Sequence, residues 1–214
     1  GTAVAAILVG RGDGRTPGLL PKARLIAVDA FHRNGGDERA DAFSLLAALD
    51  ILAQREVRVI NLSLAGPPNR TLAVMIRTLS ARGVVLVAAA GNGGPKADPV
   101  YPAGYKDVIA VTAVDGGGAV YRRAAQGPHI DLAAPGVEVW TAASIRGGRP
   151  RTGTSFAAPF VAAAAHLMVQ NATPSAEVAS RLTAEARDLG AAGHDPTFGF
   201  GLLNAAGVCA PRTD

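Results

Sequence analysis

The chain has 214 residues, of which 49% are hydrophobic and 18% charged, and its formal net charge is +4. This size and composition fit one globular domain with a hydrophobic core and exclude a disordered, low-complexity chain. The only cysteine, Cys209, excludes an internal disulfide scaffold and a zinc site built from cysteines.

The positive charge has a plain interpretation. The arginines are scattered along the chain and aromatic residues make up only 5% of it, so we interpret the charge as a solvated basic surface and expect no nucleic-acid partner. Because no apolar run approaches the roughly 20 residues of a membrane span, we expect no membrane span.

The predicted elements alternate between helix and strand. Residues 2–9 (TAVAAILV) predict a helix that should be buried all round, because it has no polar face beyond Thr2. Runs rich in Val and Ile predict four strands covered on both faces, at residues 24–31, 57–64, 84–90 and 108–114. Helical patterns occupy residues 41–56, 71–82, 155–170 and 175–187. This order predicts an α/β fold with a parallel sheet and right-handed crossovers.

Polar residues and glycines follow two of the predicted strands, at residues 61–66 (NLSLAG) and 89–94 (AAGNGG). Sites in α/β sheets collect at the carboxyl ends of the strands, so these segments are candidates. Residues 153–159 (GTSFAAP) place Ser155 where a loop becomes a helix. Unpaired N–H groups and the helix dipole there favour a developing oxyanion, although on this motif alone a plain helix cap is the better interpretation of Ser155.

The segment at residues 153–159 resembles the nucleophile motif of the subtilisin-like serine proteases, with Phe156 where Met is usual. Residues 88–92 (AAAGN) resemble the oxyanion-hole segment of that family, and residues 61–66 resemble the strand that lies along the substrate backbone. Further matches follow in the same order, at residues 20–25 (LPKARL), 101–103 (YPA), 131–136 (DLAAPG) and 198–204 (FGFGLLN). The resemblance implies a three-layer α/β fold with a mostly parallel central sheet flanked by helices.

The resemblance also implies roles for named residues of a serine endopeptidase. Ser155 would attack the scissile carbonyl and form an acyl-enzyme, while the Asn92 amide and the Ser155 backbone N–H would stabilise the oxyanion. The implied substrate-binding residues form two walls and a pocket floor: Ser63, Leu64 and Ala65, then Gly35 and Gly36 opposite, with Val100 at the floor. Because the family commonly has glycine where Val100 stands, we expect a preference for small residues before the scissile bond.

The triad of the family runs in the order Asp, His, Ser, and its histidine opens a helix with the pattern HGTHVAG. Residues 1–6 (GTAVAA) resemble the remainder of that pattern, with Ala3 and Ala6 as replacements. We therefore expect residues 1–214 to be a peptidase domain that lacks an upstream segment carrying Asp and His. That missing N-terminal segment, or a propeptide, is an expected partner, and the chain alone should be nearly inactive.

The four histidines of the chain are not expected to serve as the base. His166 follows Ser155 by eleven residues on one predicted helix, which separates them by roughly 16 Å. We interpret His32, His129 and His194 as surface or packing residues.

Two alternatives stay open. One is a non-catalytic relative that keeps the fold and the groove to bind peptides or a partner. The other is an esterase or lipase, because residues 153–157 are close to G-x-S-x-G and Asp188 and His194 follow in that order. Ala157 in place of the second glycine, and the lack of clear predicted strands after Ser155, count against the esterase.

We expect a peptide or protein substrate and no required cofactor. Many members of the family hold calcium in a loop after the histidine helix, but residues 10–18 offer one carboxylate, Asp13, between Arg11 and Arg15. So few oxygen ligands beside two positive charges do not support a calcium site, and we predict no metal ligand. Since the family is mostly secreted, a secreted or periplasmic location is expected.

Overall fold

The computed structural model describes residues 1–34, 37–143 and 147–209. The helices in chain order are α1 (Thr2–Val9), α2 (Ala42–Gln54), α3 (Arg70–Ala81), α4 (Thr154–Gln170), α5 (Ser175–Ala184) and α6 (Ala206–Cys209). The strands are β1 (His32–Asn34), β2 (Asp37–Arg39), β3 (Val59–Leu62), β4 (Val85–Ala89), β5 (Ile109–Val114), β6 (Leu132–Pro135), β7 (Val139–Ala142) and β8 (Gly148–Arg151).

The centre of the fold is a parallel sheet with the strand order β3-β4-β5-β6. Its register pairs Val59 with Val85 and Val111 with Leu132. Every residue of β4 and β5 is buried, which explains their unbroken apolar sequences. Because the strands share one direction, the segments that follow them meet at one edge of the sheet.

Helices cover both faces of this sheet. On β4, Val87 packs in a core with α1, α4 and α5. The next residue back, Leu86, packs in a second core with α2 and α3 on the opposite face. This alternation along the strand gives three layers and confirms the predicted fold class.

Local signals set the helix ends. The Asp41 carboxylate accepts from the Ser44 N–H at 2.7 Å and begins α2, and Asn69 accepts from the Leu72 N–H at 2.9 Å and begins α3.

Among the described helices, none combines the length and apolarity needed to cross a membrane.

The predicted strand at residues 24–31 is wrong: these residues run without regular secondary structure. Within the described chain they make no hydrogen bond to other backbone groups. A cavity of about 1280 Å³ is lined both by these residues and by β3. A strand needs a paired neighbour, and the cavity stands where that neighbour would be.

The same cavity explains a second difference. The helix predicted at residues 2–9 forms as α1, but its expected burial all round is wrong, because only Ile7 and Leu8 are buried. Val4 and Ala5 line the cavity instead. The sequence analysis does not predict β6 or the hairpins β1-β2 and β7-β8, because strands of three or four residues are too short to show a repeating pattern.

Candidate active site

Ser155 is the second residue of α4 and lies at the edge of the sheet where the parallel strands end. Gly153 precedes the helix with φ +147°, a conformation that residues with a side chain rarely adopt. Ser155 is half-buried, and its Oγ lies 3.4 Å from the backbone oxygen of Ser63. Its backbone N–H belongs to the first helical turn, where amides have no acceptor within the helix, so a donor stands beside the hydroxyl.

A short hydrogen-bond chain joins the end of β3 to the start of α4. Asn61 Nδ2 donates to Ser63 Oγ at 2.9 Å, and Ser63 Oγ donates to the Ser155 carbonyl at 2.8 Å. That carbonyl would ordinarily accept from the residue four positions later, which is Pro159 and has no N–H. The Ser63 hydroxyl therefore supplies the donor that the helix lacks.

Asn92 is held by the residue that precedes Ser155. The fully buried Thr154 donates from its backbone N–H to Asn92 Oδ1 at 3.0 Å and from its hydroxyl to the same oxygen at 3.2 Å. The Thr154 hydroxyl also accepts from the Gly91 N–H at 3.1 Å. Because the amide oxygen is taken, the Asn92 Nδ2 group is the free end of the side chain, and it makes no hydrogen bond within the described residues.

A second glycine, Gly136, lies against the start of α4. The Gly153 N–H donates to the Gly136 carbonyl at 2.8 Å. A Cβ on Gly136 would lie 2.5 Å from the Ala113 side chain and 3.0 Å from that of Ala157. The loop after β6 can therefore approach the start of α4 only with glycine at this position.

The segment Ser63, Leu64 and Ala65 continues beyond β3 as an extended edge. Gly66, at its end, exchanges two backbone hydrogen bonds of 2.9 Å with Tyr101. In the described chain, Leu64 and Ala65 make no backbone–backbone hydrogen bonds, so their donors and acceptors are available.

Val100 stands next to Tyr101 and fills space beside the β4 end. A Cβ on Gly91 would lie 2.8 Å from Val100 Cγ2. The structure thus brings Val100 to the segment that carries Asn92. Gly35 and Gly36, the expected opposite wall, lie outside the described residues.

None of the four histidines hydrogen-bonds to Ser155 in the described structure. His194 Nε2 lies 2.8 Å from the Ile130 carbonyl, and Asp188 accepts from the Gly193 N–H, so those two residues do not form the pair that an esterase would need. His32 and His166 line the cavity beside β3. His129 has both ring nitrogens buried without a partner among described residues, and burial lowers its pKa.

The loop at residues 10–18 presents few oxygen ligands for calcium. Its one carboxylate, Asp13, is paired with Arg11 at 2.9 Å, and both side chains are exposed. Across the described ranges, no group of three or more His, Cys, Asp or Glu side chains is arranged to hold a metal ion.

Sequence reasoning missed three residues that shape this site: Thr154, Gly136 and Pro159. All three lie in the segments 131–136 and 153–159, which resemble family motifs. Their roles could not be predicted from those motifs, because the roles depend on contacts between segments distant in the chain, such as Thr154 and Asn92, which are 62 positions apart.

Comparison with known proteins gives consistent results. A family model described as the subtilase family, Peptidase S8, matches residues 1–201. The chain is 32% identical to the minor extracellular protease Epr of Bacillus subtilis over 95% of its own length and 32% of that protein. It is 32% identical to subtilisin DY of Bacillus licheniformis over 87% of its length and 68% of that protein. The chain thus spans about a third of Epr and two thirds of subtilisin DY.

Solved structures of two proteases are similar to this chain in fold. The prenylagaramide maturation protease PagA superposes with a TM-score of 0.86 at 26% identity, covering 97% of this chain and 80% of that one. The patellamide maturation protease PatA gives a TM-score of 0.83 at 28% identity, with 97% and 81% covered.

Proposed function

The chain belongs to the subtilase family of serine proteases, and on that premise we propose that it is a serine endopeptidase domain with Ser155 as its nucleophile. The observation that carries this proposal is the set of hydrogen bonds from Thr154 to Asn92 Oδ1. They hold Asn92 against the residue that precedes Ser155 and leave the Asn92 Nδ2 group as a donor without a partner among the described residues.

In the proposed reaction, Ser155 Oγ attacks the carbonyl carbon of the scissile peptide and passes its proton to a base. The π electrons move to the carbonyl oxygen, which accepts from Asn92 Nδ2 and from the Ser155 N–H. The intermediate collapses, the C–N bond breaks, and the amine leaves with the proton returned by the base. Water then hydrolyses the acyl-enzyme by the same steps and restores the serine.

The base and the aspartate that orients it are proposed to come from polypeptide outside residues 1–214, in the family's Asp, His, Ser order. Two observations support this. No histidine in the described chain hydrogen-bonds to Ser155, and Epr and subtilisin DY are longer than the region matched.

The substrate is proposed to be a peptide or protein in extended conformation. It would lie along Ser63, Leu64 and Ala65 as an added strand and pair with the free backbone groups of Leu64 and Ala65. Val100, packed against Gly91, would shorten the pocket for the side chain before the scissile bond. A secreted or periplasmic location is supported by the extracellular relative Epr.

Peptide hydrolysis by the complete gene product, which is the full polypeptide encoded by the gene that contains residues 1–214, tests the proposal. A casein digest followed by mass spectrometry should show cleavage by the wild type and loss of at least about 10³-fold in the rate with Ser155→Ala. Ser180→Ala, which removes an exposed hydroxyl on α5, is the matched control and should leave the rate unchanged. An inactive wild type that binds peptides would favour the non-catalytic alternative.

A further inference from the structure

A glycine directly follows the candidate oxyanion residue, so Asn92 and Gly93 form an Asn–Gly pair. Asparagine is a thermolabile residue, because the backbone nitrogen of the next residue can attack its side-chain amide carbon. Glycine has no Cβ to shield that nitrogen and restricts the backbone least, so it favours the attack. Gly93 is exposed, and its N–H donates to no other backbone group within the described residues. The attacking nitrogen is therefore accessible.

Two donors hold the carbonyl oxygen of the amide that would be attacked. Thr154 donates to Asn92 Oδ1 from its backbone N–H at 3.0 Å and from its hydroxyl at 3.2 Å. When a nucleophile adds to Cγ, negative charge develops on Oδ1, and donors already aimed at this oxygen stabilise that charge as an oxyanion hole does. The Nδ2 group makes no hydrogen bond within the described residues, so the leaving group is not restrained. The contacts that orient Asn92 thus also activate its own amide.

We propose that Asn92 is a site of spontaneous deamidation, in which Gly93 supplies the nucleophile and Thr154 stabilises the intermediate. The Gly93 nitrogen loses its proton and bonds to Asn92 Cγ, and charge collects on Oδ1. The Cγ–Nδ2 bond then breaks, and Nδ2 leaves as ammonia with the proton that Gly93 lost. Water opens the resulting cyclic imide at either carbonyl carbon and gives aspartate or isoaspartate at this position.

The modification disables the site, and this consequence rests on the function proposed above for Asn92. The carboxylate keeps one oxygen on Thr154 and places its second oxygen where Nδ2 stood. An acceptor with negative charge then faces the position where the substrate oxyanion forms, and like charges repel. Isoaspartate also lengthens the backbone by one methylene and displaces the side chain. The proposed activity therefore has a lifetime that is set by the chemistry of its own oxyanion residue.

Peptide mapping by mass spectrometry measures the modification. The complete gene product carries Ser155→Ala for this purpose, so that self-digestion does not interfere. During incubation at mildly alkaline pH, Asn92 should be converted several-fold faster than Asn171, which is exposed but is followed by alanine. The rate at Asn92 should rise with pH, because the Gly93 nitrogen must lose its proton before it attacks.

Variants of Thr154 test the activation of the amide. Thr154→Val removes one of the two donors to Asn92 Oδ1 and should slow the conversion by about tenfold or more. Thr154→Ser retains the hydroxyl and is the matched control, which should convert at the rate of the unmodified sequence.

A paired variant tests the nucleophile. A Cβ on Gly93 would lie 2.9 Å from the Ala97 Cβ, so Gly93→Ala is made together with Ala97→Gly, which frees that space. The side chain at position 93 shields the attacking nitrogen, so the paired variant should lose most of the conversion. Ala97→Gly alone is the control and should keep it.

The outcomes separate this inference from the proposed function. Conversion of Asn92 no faster than that of Asn171 would overturn the inference and leave the proposed function intact. Faster conversion in Thr154→Val would also overturn it, because Thr154 would then restrain the amide. Asn92→Asp, with Ser155 present, should lower kcat at least as far as Asn92→Ala does. A fully active Asn92→Asp variant would contradict both the loss of activity inferred here and the oxyanion role proposed for Asn92.

Discussion

The hydroxyl of Ser63 donates to the backbone carbonyl of Ser155 at 2.8 Å, and so joins the end of β3 to the first turn of α4. The contact spans 92 positions of the chain. It exists because Pro159 leaves that carbonyl without its helical donor. The candidate nucleophile and the extended segment proposed to bind substrate are therefore held together directly.

Replacing Ser63 with alanine should lower the free energy of unfolding by about 1–2 kcal/mol, because a carbonyl near the core loses its donor. Urea denaturation measures the loss. In the Ser63→Ala background, Pro159→Ala returns an N–H to the helix and should recover part of the stability. If Pro159→Ala gives the same change with and without Ser63, the two residues do not share the Ser155 carbonyl.

Asn92→Ala should reduce kcat of the complete gene product by about 10²–10³-fold, with little change in KM, because the donor acts on charge that develops in the transition state. A fall confined to KM would contradict the proposed role.

Thr154→Val should also reduce kcat, by about tenfold, because the variant keeps the shape but loses the hydroxyl that holds Asn92 and Gly91. Thr154→Ser retains the hydroxyl and serves as the control. Equal activity of the Val and Ser variants would show that the hydroxyl does not position the site.

Val100→Gly should widen the pocket beside Gly91. The wild type should cleave faster after Ala than after Phe, and the variant should raise the Phe to Ala ratio of kcat/KM by at least about tenfold. Paired fluorogenic peptides that differ at this one position give the ratio. Faster cleavage after Phe by the wild type would contradict the account of Val100.

His129 should make stability depend on pH. Burial lowers its pKa below the usual value near 6.5, so the folded chain favours the neutral ring. The unfolded chain then binds the proton more readily, and the stabilisation is complete above about pH 6.5 and is lost as the pH falls toward the folded pKa. As the pH is lowered, the urea concentration at the unfolding midpoint should fall more steeply for the wild type than for His129→Gln. Parallel curves would show that His129 is not the titrating group.

Much of the fold could be predicted from local sequence, because the apolar runs of β4 and β5 and the caps Asp41 and Asn69 carry their signals within a few residues. Ser155 and Asn92 could be named from motif resemblance. The 24–31 segment could not be predicted correctly, since its apolar pattern suits a strand but strand formation depends on a neighbour. The contacts of Thr154 and Pro159 depend on packing between distant segments, which no local pattern contains.

Active-site labelling of the complete gene product with a fluorophosphonate, followed by mass spectrometry of the modified peptide, tests directly whether Ser155 is the nucleophile. We expect one modified residue, Ser155, with labelling abolished in Ser155→Ala and slowed in Asn92→Ala. We also expect much slower labelling of residues 1–214 alone. Failure to label Ser155 in the complete product, or labelling of another serine in its place, would contradict the assignment of Ser155 as the nucleophile.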